Sequence, residues 1–260
     1  MKKLFFFIAI ISLVSCQEKE ILSPTGNVNL SINALFAGQP LVMGQSYLFG
    51  SANQIKFDEF NFFISNVTLL EAETDDETDL LEVALVNFNG NTTPANVKPA
   101  SFEFRTVPAV KYRGIKIGIG VPSGLNKSSL SNYGVGHPLK QAFDSHFWKD
   151  GNSFFFTKLA GVYDLNGDGS FGTSPEDNPF ELFPAKNSSF QTVTLFKSFT
   201  LENGKSVKLD LAVDVLKLLQ TATNQTIDFT DPTNLSTYNP ENSSLSKLLM
   251  GNYKTALVFE

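Results

Sequence analysis

The chain has 260 residues, 42% hydrophobic and 18% charged, which is enough apolar material for a buried core and too much for a disordered chain. A formal net charge of −6 with no basic block argues against nucleic acid or an anionic lipid surface as partner. With 1 cysteine there is no internal disulfide framework and no thiolate zinc cluster, and only 2 histidines and 1 tryptophan remain for imidazole or indole chemistry.

Lys2 and Lys3 precede an apolar run from Leu4 to Val14. As a helix that run would reach only about 16 Å, roughly half of a hydrocarbon core, which suits a secretory signal over residues 1–15 better than a transmembrane span. Leu13-Val14-Ser15-Cys16 resembles the bacterial lipobox, which implies cleavage before Cys16 and lipidation of its thiol. Gln17 supplies no inner-membrane retention signal, so an outer-membrane lipoprotein is expected, on the periplasmic or the cell-surface face. Residues 16–26, ending Ser23-Pro24-Thr25-Gly26, have no apolar period and read as a flexible tether. The folded part, 27–260, is expected to be one domain held to the membrane by acyl chains.

Val28, Leu30, Ile32 and Ala34 alternate with polar residues, the two-residue period of a half-buried strand. From Ile55 to Leu70 the chain is apolar on both faces, as in the interior of a covered sheet. Asp75-Asp76-Glu77 reads as a solvated turn before a strand over Leu80–Phe88. Further strands are expected at Ser101–Thr106, Tyr112–Val121, Ser153–Val162, Thr192–Leu201 and Ser206–Val213. Helical signals are few: Pro138 suits a first helical position, and Asp214–Thr221 could form a second short helix. The fold class is therefore mostly β, an antiparallel β-sandwich with short helices in the connections.

Asp164-Leu165-Asn166-Gly167-Asp168-Gly169-Ser170 places oxygen side chains at loop positions one, three and five, with glycine at six. That is the pattern of a calcium loop, in which alternate residues turn oxygens inward while glycine permits the bend. Pro175 occupies the twelfth position, where a bidentate glutamate belongs, and Glu176 and Asp177 come one and two places late. Either a later carboxylate closes the loop around calcium, or the segment is a turn rich in turn formers.

His137, His146 and Trp148 lie close in sequence. On one continuous helix the two histidines would point to opposite sides, so a shared site requires the helix to end before His146. No Gly-x-Ser-x-Gly elbow, His-Glu-x-x-His pair or phosphate loop is present, and no enzyme activity is expected.

The order of several segments carries a resemblance. Phe62-Phe63-Ile64-Ser65-Asn66-Val67, then Tyr112-Arg113-Gly114-Ile115-Lys116-Ile117-Gly118-Ile119-Gly120-Val121, then His137-Pro138-Leu139, then Phe147-Trp148-Lys149-Asp150-Gly151, together resemble the MbnP-like copper-binding domain of Gram-negative lipoproteins. The resemblance implies an extracytoplasmic β-rich protein that binds copper, with His137, His146 and Trp148 as its candidate ligands. It also implies an oxidised tryptophan, made with the help of a di-haem peroxidase-like partner. The family pattern carries further histidines about where Ala34 stands and within Phe180–Pro184, and this chain has neither. A second reading is therefore a cell-surface module binding a glycan or partner protein, its copper site degenerate, with Trp148, Tyr163, Phe171 and Tyr133 as an aromatic platform.

Overall fold

The computed structural model describes residues 23–127, 129–131, 133–172, 176–237 and 243–260. The expected signal, Cys16, most of the tether and Pro175 lie outside them.

In chain order the first strands are β1 (Thr25–Phe36), β2 (Gln39–Pro40), β3 (Ser46–Phe49), β4 (Asn53–Glu71), β5 (Glu77–Asn87), β6 (Ala100–Pro108) and β7 (Lys111–Ile119). A connection then carries α1 (Pro138–Gln141), α2 (Phe143–His146) and the small pair β8 (Phe147–Trp148) and β9 (Ser153–Phe154). Next come β10 (Thr157–Asp164), β11 (Asp177–Leu182), β12 (Gln191–Thr200) and β13 (Ser206–Asp214). The chain closes with α3 (Val215–Leu218), α4 (Ser243–Ala256) and β14 (Leu257–Phe259).

One sheet runs β14-β13-β1-β2, with β6 also on β1; the other runs β11-β10-β4-β7-β12, with β3 and β5 also on β4. The mostly-β, largely antiparallel sandwich expected from the sequence is what forms. One pair departs from it: β1 and β13 run parallel from Asn27↔Ser206 to Leu35↔Asp214. Parallel neighbours need a long crossover, and here the whole second sheet lies between them in sequence.

The alternation in β1 buries Val28, Leu30, Ile32, Ala34 and Phe36 on one face. Strand β4 is covered on both. Phe63 meets His146 and Phe154 edge-on, beneath the α1–β9 connection, while Phe62 meets Phe88 and, on α4, Tyr253. Each such ring contributes on the order of 2 kcal/mol by burial alone.

The family-like segments lock β4 to β7. Ser65 pairs with Gly118, and its buried hydroxyl donates to Gly120 O at 2.9 Å. A Cβ on Gly118 would lie 2.7 Å from Phe190 and 2.8 Å from Ser65 Oγ, and Gly120 sits at φ +108 against the Phe156 ring. Just beyond Ser65 the ladder slips on both sides, with Asn66 at φ 45. This β-bulge leaves Asn66 exposed while both its neighbours are buried.

Candidate functional site

Proline starts α1 as expected, and His137 is its N-cap. Nδ1 accepts a hydrogen bond from the Leu139 amide at 3.2 Å, and the ring stacks on Tyr133 with centroids 3.9 Å apart. Because Nδ1 spends its lone pair on a donor, the neutral ring carries its proton on Nε2. That nitrogen is buried and has no hydrogen-bond partner; Glu82 Oε2 on β5 stands 3.7 Å away.

The helical stretch breaks at Ala142, and α2 ends at His146 itself. His146 is 5% exposed, packed edge-on to Phe63. Nδ1 lies 2.7 Å from Ser145 Oγ and Nε2 2.7 Å from Asn61 Oδ1. The Asn61 amide nitrogen donates to Glu59 at 2.9 Å, so the oxygen is the atom left facing His146 and Nε2 must be the donor. Lys158 pairs with Glu59 at 2.9 Å and completes the chain Ser145–His146–Asn61–Glu59–Lys158. Burial first, then the Lys158 charge, pushes the His146 pKa down to about 4, so the ring is neutral at physiological pH. Burial alone would raise the Glu59 pKa, but the hydrogen bonds from Lys158 and Asn61 hold it below its usual value. Sequence reasoning did not single out Asn61, although an amide inside an otherwise apolar two-faced strand was the available signal.

Trp148 is half-buried on the β8–β9 pair. It packs so closely on Gly151 that a Cβ there would lie 2.0 Å from the indole, and it runs parallel to Phe155 at 6.2 Å. The Lys186 ammonium lies 5.3 Å from the ring. Among the described residues no hydrogen bond or ring contact joins any two of the three candidates. His137 and His146 have each committed the Nδ1 lone pair and hold a proton on Nε2, and a cation already sits beside the indole. A copper ion needs free nitrogen lone pairs converging on one point, and these residues do not fit it as they stand. Among the described residues no three His, Cys, Asp or Glu side chains form a group able to hold a metal.

The aromatic platform does not assemble either. Tyr163 is buried against Phe49 and Phe229, Tyr133 lies on His137, and the Lys56 ammonium lies over Phe171.

The calcium-like loop has its first carboxylate, Asp164, 1% exposed at the end of β10. Its oxygens accept from Gly167 N at 2.7 Å and Gly169 N at 3.0 Å. Asn166 and Asp168 accept from the amides two residues on, and Asn166 Nδ2 donates to Asp168. The amide of Ser170 takes part, its hydroxyl does not. Glu176 contributes its carbonyl to Asn166 N, and Asp177 opens β11 directly opposite Asp164.

The outer face of the second sheet holds an open groove of about 620 Å³. Glu77, Asp79 and Glu82 from β5 line one side, with Asn66 from the bulge, Lys116 from β7 and Thr192 from β12 around them. Gly118 forms part of its floor. Glu77 is ion-paired with Lys116, whose hydrogen bond holds the carboxyl below its usual pKa.

A family model described as MbnP matches residues 25–240. The chain belongs to the MbnP family. Among solved structures, MbnP from Methylosinus trichosporium is similar with a TM-score of 0.49 at 14% identity, over 74% of this chain and 76% of that chain. No curated protein matches. Within this MbnP-family chain, Ala34 and Phe180 belong to the core: Ala34 is 3% exposed, and Phe180 stacks on Phe229 at 4.7 Å. Among the described residues no helix is long and apolar enough to cross a membrane.

Proposed function

We propose that this protein is a lipid-anchored, non-catalytic binding module outside the inner membrane. Its ligand is a glycan held in the groove on the β4–β5–β7 face, and its copper site has been lost. The observation that carries this reading is the make-up of the groove, whose residue Glu82 stands 3.7 Å from the buried, unpartnered His137 Nε2. The groove is rich in acceptors, with Glu77, Asp79 and Glu82 against the single Lys116, and Thr192 and Asn66 add groups that both give and take hydrogen bonds. A hydroxyl-rich sugar suits that mixture, because each hydroxyl donates to a carboxylate and accepts from an N–H.

Copper is the weaker reading, because both imidazoles have spent the lone pairs a metal would need. The lipid anchor rests on the lipobox at Cys16. Isothermal titration with a panel of polysaccharides tests the groove. Binding should appear for at least one glycan and weaken about tenfold in Glu82→Gln, the loss of one charge-assisted hydrogen bond. Tight copper binding that is lost in His137→Ala or His146→Ala, with no glycan bound, would return the assignment to copper.

A further inference from the structure

We infer that one calcium ion binds where β10 meets β11, with Asp164 and Asp177 as its carboxylate ligands. The two residues face each other at the mouth of the hairpin. Directly opposed residues put their side chains on the same face of a sheet, and here both are 1% exposed. Asp177 Oδ2 accepts from the Gly172 amide, but Oδ1 is buried with no hydrogen-bond partner. A carboxylate oxygen sealed from water without a donor is strongly disfavoured, and a second carboxylate next to it adds repulsion. Among the described residues neither acid has a lysine or arginine within ion-pair distance. A cation between them satisfies the orphan oxygen and cancels the repulsion in one step.

The chemistry selects calcium. The donors are hard oxygens, the carboxylates of Asp164 and Asp177, while Asn166 and Asp168 bond to each other and to loop amides. Gly172 leaves room beside them, since a Cβ there would stand 3.2 Å from Glu176 Oε2 and 3.7 Å from Asp177 Oδ2. Calcium accepts six to eight oxygens in irregular geometry and readily keeps waters, whereas magnesium demands a strict octahedron. Asp168 is turned toward the Ser170 amide, so the ion rests on two buried charges, and its affinity falls in the range of extracellular modules, about 10⁻⁴ to 10⁻³ M. The late carboxylate at Asp177 thus takes the place that a twelfth-position glutamate fills elsewhere. This site is independent of the glycan groove, and either assignment can fail without the other.

Titrating calcium chloride into the chelator-treated full chain should give one site by calorimetry. At 10 mM calcium the thermal midpoint should rise by roughly 5 °C. Asp177→Asn should melt in chelator at or above the parent midpoint, because it removes the unpaired charge, and should show no calcium shift. Asp164→Asn should also lose the shift. No heat and no shift in the parent protein, a shift that survives in Asp177→Asn, or an equal shift with magnesium would overturn the assignment.

Discussion

His146 Nε2 lies 2.7 Å from Asn61 Oδ1, joining the last residue of α2 to the middle of the longest strand. The contact fixes the α1–β9 connection over the second sheet; a second proton would go to Nδ1, against the Ser145 hydroxyl, and would place a charge in a buried site. The folded-state pKa of about 4 lies below the ordinary 6.5. Between those two values the unfolded chain binds a proton that the folded ring refuses. The contribution is therefore complete above pH 6.5 and falls as pH drops through the window, by roughly 3 kcal/mol in all. Urea midpoints at pH 7, 5.5 and 4 measure it. His146→Gln should cost about 2 kcal/mol at pH 7, and that difference from the parent should shrink toward pH 4. A constant difference would mean that the ring is not held neutral by burial.

Two glycines with opposite surroundings separate close packing from backbone freedom. Gly161 sits where the β10–β4 register slips, and a Cβ there would lie 2.0 Å from Lys56 O and 2.9 Å from Phe180. Backbone cannot move aside as a side chain can, so Gly161→Ala should cost about 3 kcal/mol or abolish folding. Gly38, at φ +78 with nothing within 4 Å of an added Cβ, should lose only about 1 kcal/mol on replacement by alanine. Equal shifts in the two denaturation midpoints would refute the steric argument for Gly161.

Legibility from sequence followed the range of each interaction. The alternation in β1 and the two-faced apolar run of β4 are local, and both gave their strands and their burial. The parallel β1–β13 pairing joins residues far apart in sequence, and no local pattern encodes register across that distance. Strand β11 was not expected, because Pro179 and the preceding turn residues mask it; at a sheet edge a missing N–H is tolerated. Helix α4 was missed although Leu245, Leu249, Tyr253 and Ala256 recur at helical spacing, since Gly251-Asn252 reads as a stop and packing overrode it. At the site, the histidines and tryptophan were visible as residue types, but the directions of their lone pairs were not. Those directions depend on Asn61, Ser145 and the Leu139 amide, which only the fold brings into place.

Tyr253 on α4 is fully buried, and its hydroxyl lies 3.0 Å from Thr157 Oγ1 on β10. Burial pushes the phenol pKa far above its ordinary value, so it stays protonated. Tyr253→Phe keeps the ring against Phe62 but strands the Thr157 hydroxyl, whose other contact is Met250 sulfur at 3.5 Å. The expected loss is about 1 kcal/mol in a urea melt, and the double variant Tyr253→Phe/Thr157→Val should recover part of it. Failure of the double variant to recover any stability would show that the pair contributes through packing rather than through the hydrogen bond.

The anchor is tested at Cys16, outside the described residues. An apolar run too short to span a bilayer can retain the chain only if acyl chains replace it, and stable retention by lipid needs more than one chain. Cys16→Ser removes the attachment atom while leaving the hydrophobic segment intact. The parent protein should then incorporate labelled palmitate and sediment with outer membranes, while the variant should lose the label and leave that fraction as soluble or uncleaved protein. A parent chain that carries no label, or a variant that sediments as the parent does, would show that the membrane is reached by some route other than the thiol.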